Sequence, residues 1–158
     1  LADLAAYLQA NAEIMLEELE KREKAEGIKK VFYYLNDAGT YFLATVEGTK
    51  PKVRPFGTVL LDDGKLYIQT GKKKAVSKQL AENPAAEICA CMNNGTWLRV
   101  AAELEEADDH ELKVKMLEKM PALKAMYSAD DDNMQMFRVK NASAIFCSFT
   151  GEPEVVTF

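Results

Sequence analysis

Hydrophobic side chains in the first forty residues recur at helical spacing. Leu4, Leu8, Ala12, Met15 and Leu19 lie three or four positions apart, and charged residues fill the positions between them. Gly27 interrupts the pattern, and a shorter helical stripe then covers residues 28–35. The pattern predicts two amphipathic helices. Either both pack on the chain's own core, or the first one covers a neighbouring subunit.

From residue 40 the helical spacing gives way to a pattern typical of strands. β-Branched and aromatic residues predict strands over residues 40–46, 52–61 and 66–70. Pro55 has no amide proton to donate, so the second strand must lie at a sheet edge or contain a bulge. Together these segments predict three consecutive antiparallel strands.

Short strands alternate with two helices in the second half of the chain. One helix is predicted over residues 74–82, and another begins at Asp108 and Glu111 and ends before Pro121. Strands are predicted over residues 87–92, 96–105, 137–139, 144–149 and 155–158. The first two are joined by an Asn-Asn-Gly hairpin turn. The predicted fold class is α+β, mainly β, with a small antiparallel barrel that carries helices.

Composition narrows the class of protein. The chain has 158 residues, of which 48% are hydrophobic and 28% charged, and this is typical of a single folded domain. No apolar run approaches the ~20 residues of a membrane span, and no secretion signal is visible. The formal charge of -5 argues against a nucleic-acid partner. We therefore expect a soluble, cytoplasmic protein, although the first residue is Leu rather than Met and a removed leader stays open.

Few residues are suited to side-chain catalysis or metal binding. Cys89, Cys91 and Cys147 are odd in number and lack paired spacing, so we expect reduced thiols in the core rather than disulfides or zinc ligands. The single histidine, His110, argues against a histidine-based triad or a metal site with several histidines. We therefore predict no catalytic side chain and no metal, and any catalysis would come from a cofactor or from Lys, Arg, Tyr and carboxylates.

Basic residues are concentrated in one part of this acidic chain. Residues 50–80 carry eight lysines and arginines against Asp62 and Asp63. Within this segment, Lys72, Lys73 and Lys74 lie between a predicted strand and a predicted helix, where amide groups and the helix dipole favour a phosphate. Lys78 extends the same positive face by one helical turn. The alternative interpretation is a solvated lysine loop.

Two further features suggest a flat, charged ligand. Arg54 has apolar neighbours, so its guanidinium needs an anionic partner if it is buried, either a ligand or a carboxylate of the protein. Gly57 would let a planar group approach the backbone. Trp97 and Arg99 share one face of a predicted strand and either line a flat cofactor or form a packing pair.

The order of these segments resembles the pyridoxamine 5′-phosphate oxidase-like, FMN-binding split-barrel superfamily over residues 30–158. The resemblance rests on Tyr41-Phe42-Leu43-Ala44-Thr45, Val53-Arg54-Pro55-Phe56-Gly57, Leu66-Tyr67-Ile68-Gln69-Thr70, Lys73-Lys74, Gln79-Leu80, Asn83-Pro84, Trp97-Leu98-Arg99-Val100 and Ser148-Phe149-Thr150-Gly151-Glu152-Pro153. It implies a split antiparallel β-barrel (residues 37–158) with an N-terminal helical extension (residues 1–36), and a homodimer with FMN at the subunit interface.

The resemblance also implies roles for individual residues. Arg54 opens the strand that contacts the flavin, and the backbone that follows it faces the isoalloxazine ring. Lys73 and Lys74 match the pair that holds the phosphate, but the loop is shorter than in the true oxidases, so Lys72 and Lys78 remain alternatives. Trp97 stands where the oxidases carry a glutamine, and the resemblance implies that it stacks on or covers the flavin. The tryptophan that does so belongs either to the same chain or to the partner subunit. The full candidate set is Arg54, Pro55, Phe56, Gly57, Thr58, Gln69, Thr70, Lys73, Lys74, Lys78, Trp97 and Arg99.

One departure from the oxidases affects the expected activity. The substrate-binding Arg-Leu-His type segment of the true oxidases has no counterpart, and the closer likeness is to small bacterial, nitroimidazole-resistance-like members. The resemblance implies an FMN-dependent oxidoreductase that passes electrons from reduced flavin to a small planar acceptor, with NADH or NADPH as the reductant. The alternatives are a non-catalytic flavin carrier or sensor and a split barrel that binds haem, another ligand or no cofactor.

Overall fold

The computed structural model describes residues 2–158. Its helices are α1 (Ala2–Glu23), α2 (Gly27–Ala38), α3 (Ala75–Glu82) and α4 (His110–Lys119), and a short 3-10 helix covers Pro121–Ala125. Among these described residues, no helix has the length and apolar character needed to span a membrane.

All eight strands belong to one antiparallel sheet that curls into an open, split barrel. The strands are β1 (Tyr41–Glu47), β2 (Lys50–Phe56), β3 (Leu60–Asp62), β4 (Lys65–Gly71), β5 (Ala85–Cys91), β6 (Thr96–Glu106), β7 (Met134–Ser148) and β8 (Glu154–Thr157). Their order is β2-β1-β5-β6-β7-β4-β3, and β8 adds to β7. β2 is an edge strand, as predicted from Pro55.

The barrel interior is an apolar core to which α2 contributes. Leu43, Ile68 and Leu98 from three strands are fully buried there, and Val31 and Leu35 from α2 pack with them. The predicted division between residues 36 and 37 therefore falls inside α2, a helix that packs with the barrel. In contrast, α1 has no buried residue.

The predicted strand over residues 52–61 is wrong. The chain leaves the sheet at residues 57–59, and its two halves become β2 and β3, which lie at opposite edges of the sheet. The three-stranded meander is wrong for the same reason, because β2 pairs only with β1 and β3 pairs only with β4 within the described residues. The buried hydroxyl of Tyr41 donates to the Thr58 carbonyl at 2.7 Å and helps to fix this crossing segment.

Two further predictions are corrected in the second half. The late strands predicted over residues 137–139 and 144–149 are one continuous strand, β7, because both neighbours β6 and β4 supply hydrogen-bonding partners. The α4 helix is capped by Asp109 rather than Asp108, and its carboxylate accepts from the amides of Glu111 and Leu112. The hairpin of β5 and β6 is confirmed.

The Tyr41 hydroxyl provides a test of the segment that crosses from β2 to β3. Tyr41→Phe removes the donor and leaves the buried Thr58 carbonyl without its partner, which should lower the free energy of unfolding by about 1–3 kcal/mol. Tyr7→Phe, on exposed α1, is the matched control and should have no measurable effect. Urea denaturation measures both, and equal stability of the two variants would contradict the assigned role of Tyr41.

Candidate functional site

A cleft opens where the crossing segment, the end of β4 and the start of α3 meet. Its volume is about 310 Å³, and the segment after α4 forms its opposite wall. It is lined by Arg54, Pro55, Phe56, Gly57, Thr58, Gln69, Thr70, Lys74, Ala75, Val76, Leu123, Met126 and Tyr127. Eight of the twelve predicted site residues are therefore brought together in one place. Lys73, Lys78, Trp97 and Arg99 are not among the residues that line it.

The start of α3 offers free amides to this cleft. Lys74 is the N-cap residue and makes no side-chain capping bond. The first amide that bonds back is Ser77, which donates to the Lys74 carbonyl at 3.1 Å. Within residues 2–158, the amides of Ala75 and Val76 have no protein acceptor. Such an uncapped N-terminus carries positive charge from the helix dipole and favours an anion.

The lysine turn itself contributes fewer donors than the sequence suggests. The amides of Lys72 and Lys73 donate to the carbonyl and side chain of Asn133, at 2.7 Å and 3.2 Å, and the Lys74 amide donates to the Gly71 carbonyl. The amides available for an anion are thus those of α3 rather than those of the turn.

The four lysines around this turn also differ in where their side chains lie. Lys113 holds the pKa of Asp108 below its usual range, and Lys72 contributes to this shift, so Lys72 lies near an acid. Lys78 is exposed on α3, one turn beyond the cleft. Lys74 is the lysine that lines the cleft. Lys73 is exposed and does not line the cleft, so within residues 2–158 Lys74 is the one lysine of the four that does.

Thr70 carries a polar atom that the protein does not satisfy. It is only 3% exposed, it lines the cleft, and its hydroxyl has no hydrogen-bond partner among residues 2–158. Buried hydroxyls nearly always have a partner, because an unsatisfied one costs about 1–3 kcal/mol. Thr70 is the penultimate residue of β4, which ends at Gly71. A ligand that accepts a hydrogen bond at this point would satisfy the hydroxyl.

Arg54 is held in the half-buried lining of the cleft by neutral acceptors. Its guanidinium donates to the Leu43 carbonyl at 3.0 Å, to Thr45 Oγ1 at 2.8 Å and to Gln79 Oε1 at 2.6 Å. Gln79 in turn donates from Nε2 to Glu47 at 3.1 Å. Every acceptor is fixed by a strand or by α3, so the orientation of the guanidinium is fixed as well.

The positive charge of Arg54 is not neutralised by a direct ion pair. No carboxylate lies within ion-pair distance of it in residues 2–158, and none of the described residues lining the cleft is acidic. Burial lowers the pKa of Arg54 from its usual value, but an arginine remains protonated at neutral pH. Of the two partners left open by the sequence, a protein carboxylate is therefore not the one present.

The opposite wall of the cleft was missed by sequence reasoning. Leu123, Met126 and Tyr127 follow α4, and Met126 is 69% exposed. A Cβ on Gly71 would lie 2.8 Å from the Tyr127 hydroxyl, so this wall depends on a close approach to β4. An apolar run between Pro121 and the acidic loop was its only sequence signal.

Trp97 and Arg99 share one face of β6, as predicted, but that face lies outside the barrel. A sheet face that we call the outer face carries the following residues in register across β1, β5, β6, β7 and β8: Phe42, Cys89, Cys91, Trp97, Arg99, Ile145, Cys147 and Val155. Arg99 pairs there with Glu87 at 2.7 Å. The prediction of core thiols is wrong for Cys91, which is exposed, while Cys89 and Cys147 are half-buried; all three are free.

The fold and the cleft define the class: a split barrel with an uncapped helix start beside its cleft. A family model described as pyridoxamine 5′-phosphate oxidase matches residues 28–147. The chain therefore belongs to the pyridoxamine 5′-phosphate oxidase family, as the ordered segments predicted. No curated protein matches the sequence.

Solved structures share the fold. A NimC/NimA family protein from Clostridium acetobutylicum is 39% identical, with a TM-score of 0.81 over 84% of this chain and 92% of that one. A pyridoxamine 5′-phosphate oxidase-related, FMN-binding protein from Nostoc punctiforme is 16% identical, with a TM-score of 0.56 and coverages of 82% and 94%. A haem-binding protein from Mycobacterium smegmatis is 17% identical, with a TM-score of 0.60 and coverages of 78% and 57%. The last two show the fold alone.

Two buried threonines in the cleft provide a matched test of the unsatisfied hydroxyl. Thr70→Val removes a hydroxyl that has no protein partner, so without ligand the free energy of unfolding should stay within about 0.5 kcal/mol or rise. Thr58→Val removes a hydroxyl that bonds both the amide and the carbonyl of Gln69, at 3.0 Å and 3.2 Å, and should lower it by about 1–3 kcal/mol. Denaturation of ligand-free protein measures both, and a comparable loss for Thr70→Val would mean that the protein itself satisfies this hydroxyl.

Proposed function

We propose that the protein is a cytoplasmic FMN-binding flavoprotein and an oxidoreductase that passes electrons from reduced flavin to a small planar acceptor. The observation that carries this proposal is the convergence of three features at one end of the cleft. They are the uncapped start of α3, the unsatisfied Thr70 hydroxyl and the Lys74 side chain. Family membership supports FMN as the anion that these groups hold.

FMN fits the two ends of the cleft differently. Its phosphate would accept from the amides of Ala75 and Val76 and from the Thr70 hydroxyl, with Lys74 as a counter-charge. Arg54 would add a second positive charge without losing an existing ion pair, because it has none. The ring would lie along the open backbone of residues 55–58, against Met126 and Tyr127.

We propose that the cleft of one chain is only part of the binding site and that a second copy of the chain completes it. A volume of about 310 Å³ is at the lower end of the range for ligand pockets, about 300–1,000 Å³. The outer face exposes Phe42 at 51% and Val155 at 59%, and Trp97 packs there on the 87% exposed Phe149 at a centroid distance of 5.1 Å. Apolar patches of this kind mark protein interfaces. We therefore include a homodimer in the proposal, with Trp97 of the partner covering the flavin.

The chain's own groups would bind and orient the cofactor rather than react. Bound FMN, once reduced by NADH or NADPH, supplies the electrons that the acceptor takes up. Arg54 lies in the cleft with a fixed orientation and raises the local positive potential, which favours an anionic form of the ligand. The apolar wall at Leu123 and Met126 would offer an apolar surface to a planar acceptor.

Purification followed by turnover assays tests the proposal. We expect a yellow protein that releases FMN on denaturation and oxidises NADH or NADPH in the presence of a nitroaromatic compound or a quinone. Bound FMN without turnover would favour the flavin carrier or sensor. A colourless protein that FMN does not saturate would reject both, leaving a haem-binding or cofactor-free barrel.

Removing the Lys74 side chain should distinguish binding of the FMN phosphate from binding of the flavin ring. Lys74→Ala should weaken FMN binding by about 10-fold or more but leave riboflavin binding nearly unchanged, because riboflavin lacks the phosphate and a charged hydrogen bond is worth about 1.5–3 kcal/mol. Lys78→Ala, on the same helix but outside the cleft, is the control and should change neither. Quenching of flavin fluorescence measures all four affinities. Equal losses for both ligands would remove Lys74 from the phosphate site.

A substitution at Gln79 tests whether the unneutralised charge of Arg54 matters. Gln79→Glu places a carboxylate between the guanidinium and Glu47 and, despite the repulsion from Glu47, should lower FMN affinity several-fold relative to Gln79→Met, which removes the same amide without adding charge. Thermal melting of both variants before titration checks that each one is folded. If the two variants bind FMN equally, the charge of Arg54 does not contribute to the anion site.

A further inference from the structure

The α1 helix exposes an apolar surface that its own chain does not cover. Large apolar side chains along its length are between 54% and 66% exposed, and the helix has no buried residue: Leu4, Tyr7, Leu8, Ile14, Met15, Leu16 and Leu19. An isolated helix is only marginally stable in water, because most helix stability in proteins comes from packing of an apolar face. The surface of α1 therefore needs a partner.

The C-terminal end of α1 is anchored to α2, whereas none of the residues of α1 is buried. Arg22 pairs with Asp37 of α2 at 3.0 Å, and its guanidinium lies over the Tyr33 ring at 5.2 Å from the centroid. From this anchor the 22 residues of α1 extend for about 33 Å. The helix also lies outside residues 28–147, the part matched by the family model. Its role is therefore not one that the family match assigns.

Within the apolar surface of α1, one row of residues spaced three or four positions apart is nearly symmetric about Ala12. Leu8 and Leu4 precede this small residue by four and eight positions, and Leu16 and Leu19 follow it by four and seven. A surface of this kind is complementary to itself when a two-fold axis passes near its centre. Small residues at the crossing point let two helices approach closely, and the larger apolar residues then interdigitate on either side.

Charge selects the relative direction of the two helices. Residues 2–12 contain one charged side chain, Asp3, whereas residues 13–23 contain five glutamates against Lys21 and Arg22. A parallel pair would place glutamates beside glutamates along half its length, which is unfavourable. An antiparallel pair places the acidic half of each helix beside the nearly uncharged half of the other.

We propose that α1 pairs with α1 of a second copy of this chain, antiparallel and crossing near Ala12, and that this helix pair is an interface additional to the barrel. The interface is independent of the flavin site, because no residue of α1 lines the cleft. Leu8 of one chain then packs against Leu16 of the partner subunit.

Disulfide trapping in the full-length chain tests this pairing. Ala12→Cys should form a dimer under mild oxidation, about ten-fold more than Ala10→Cys, since a disulfide needs the two Cα atoms within about 7 Å and residue 10 lies on the opposite side of the helix. The unmodified chain, which has three free cysteines of its own, sets the background. The trapped species is measured on non-reducing denaturing gels.

A second variant separates specific pairing from random collision. Adding Leu8→Gln to Ala12→Cys should reduce the trapped dimer several-fold, while FMN binding, read from flavin fluorescence, stays unchanged. Trapping of Ala12→Cys no greater than that of Ala10→Cys would overturn the proposal and leave α1 to another protein or to a lipid surface. Trapping that Leu8→Gln does not reduce would also overturn it.

Discussion

Arg54 brings a positive charge into the half-buried lining of a cleft in which the described residues are neutral or basic. Such a charge is costly unless hydrogen bonds or an opposite charge compensate it. The described residues supply only neutral acceptors, from Leu43, Lys52, Thr45 and Gln79, and Glu47 is reached only through Gln79. The guanidinium is thus solvated by the protein without being neutralised. Its positive potential remains available to a ligand, and it adds to that of the uncapped α3 helix nearby.

The barrel topology creates this arrangement by separating two strands that are adjacent in sequence. After β2 the chain crosses to the opposite edge of the sheet through residues 57–59, and the backbone of this crossing lines the cleft. β4 then ends at Gly71, where a tight turn starts α3 directly beside the crossing. Thr70 and the first residues of α3, Ala75 and Val76, therefore line the same cleft as Arg54. As a result, the cleft has polar residues at one end and an apolar wall at Leu123 and Met126.

Local sequence signals predicted much of the fold but not its long-range contacts. The helical spacing in α1 and the Asn-Asn-Gly turn between β5 and β6 depend on neighbouring residues, and the helix and the hairpin that they predicted are confirmed. The crossing at residues 57–59 was missed because Thr58 and Val59 are β-branched like strand residues, whereas their position is set by contacts such as the distant Tyr41 hydroxyl. In the site, the lysine cluster was visible in the sequence, but the lysine that lines the cleft depends on the direction of α3. Tyr127 reaches Gly71 only through the tertiary fold.

A crystal structure of the protein grown with FMN tests the central claim most directly. The account predicts a phosphate within hydrogen-bond distance of the Thr70 hydroxyl and the Ala75 and Val76 amides, with the ring along residues 55–58. A phosphate bound elsewhere, or a cleft that stays free of FMN at saturating concentration while the Thr70 hydroxyl bonds to the protein, would contradict it.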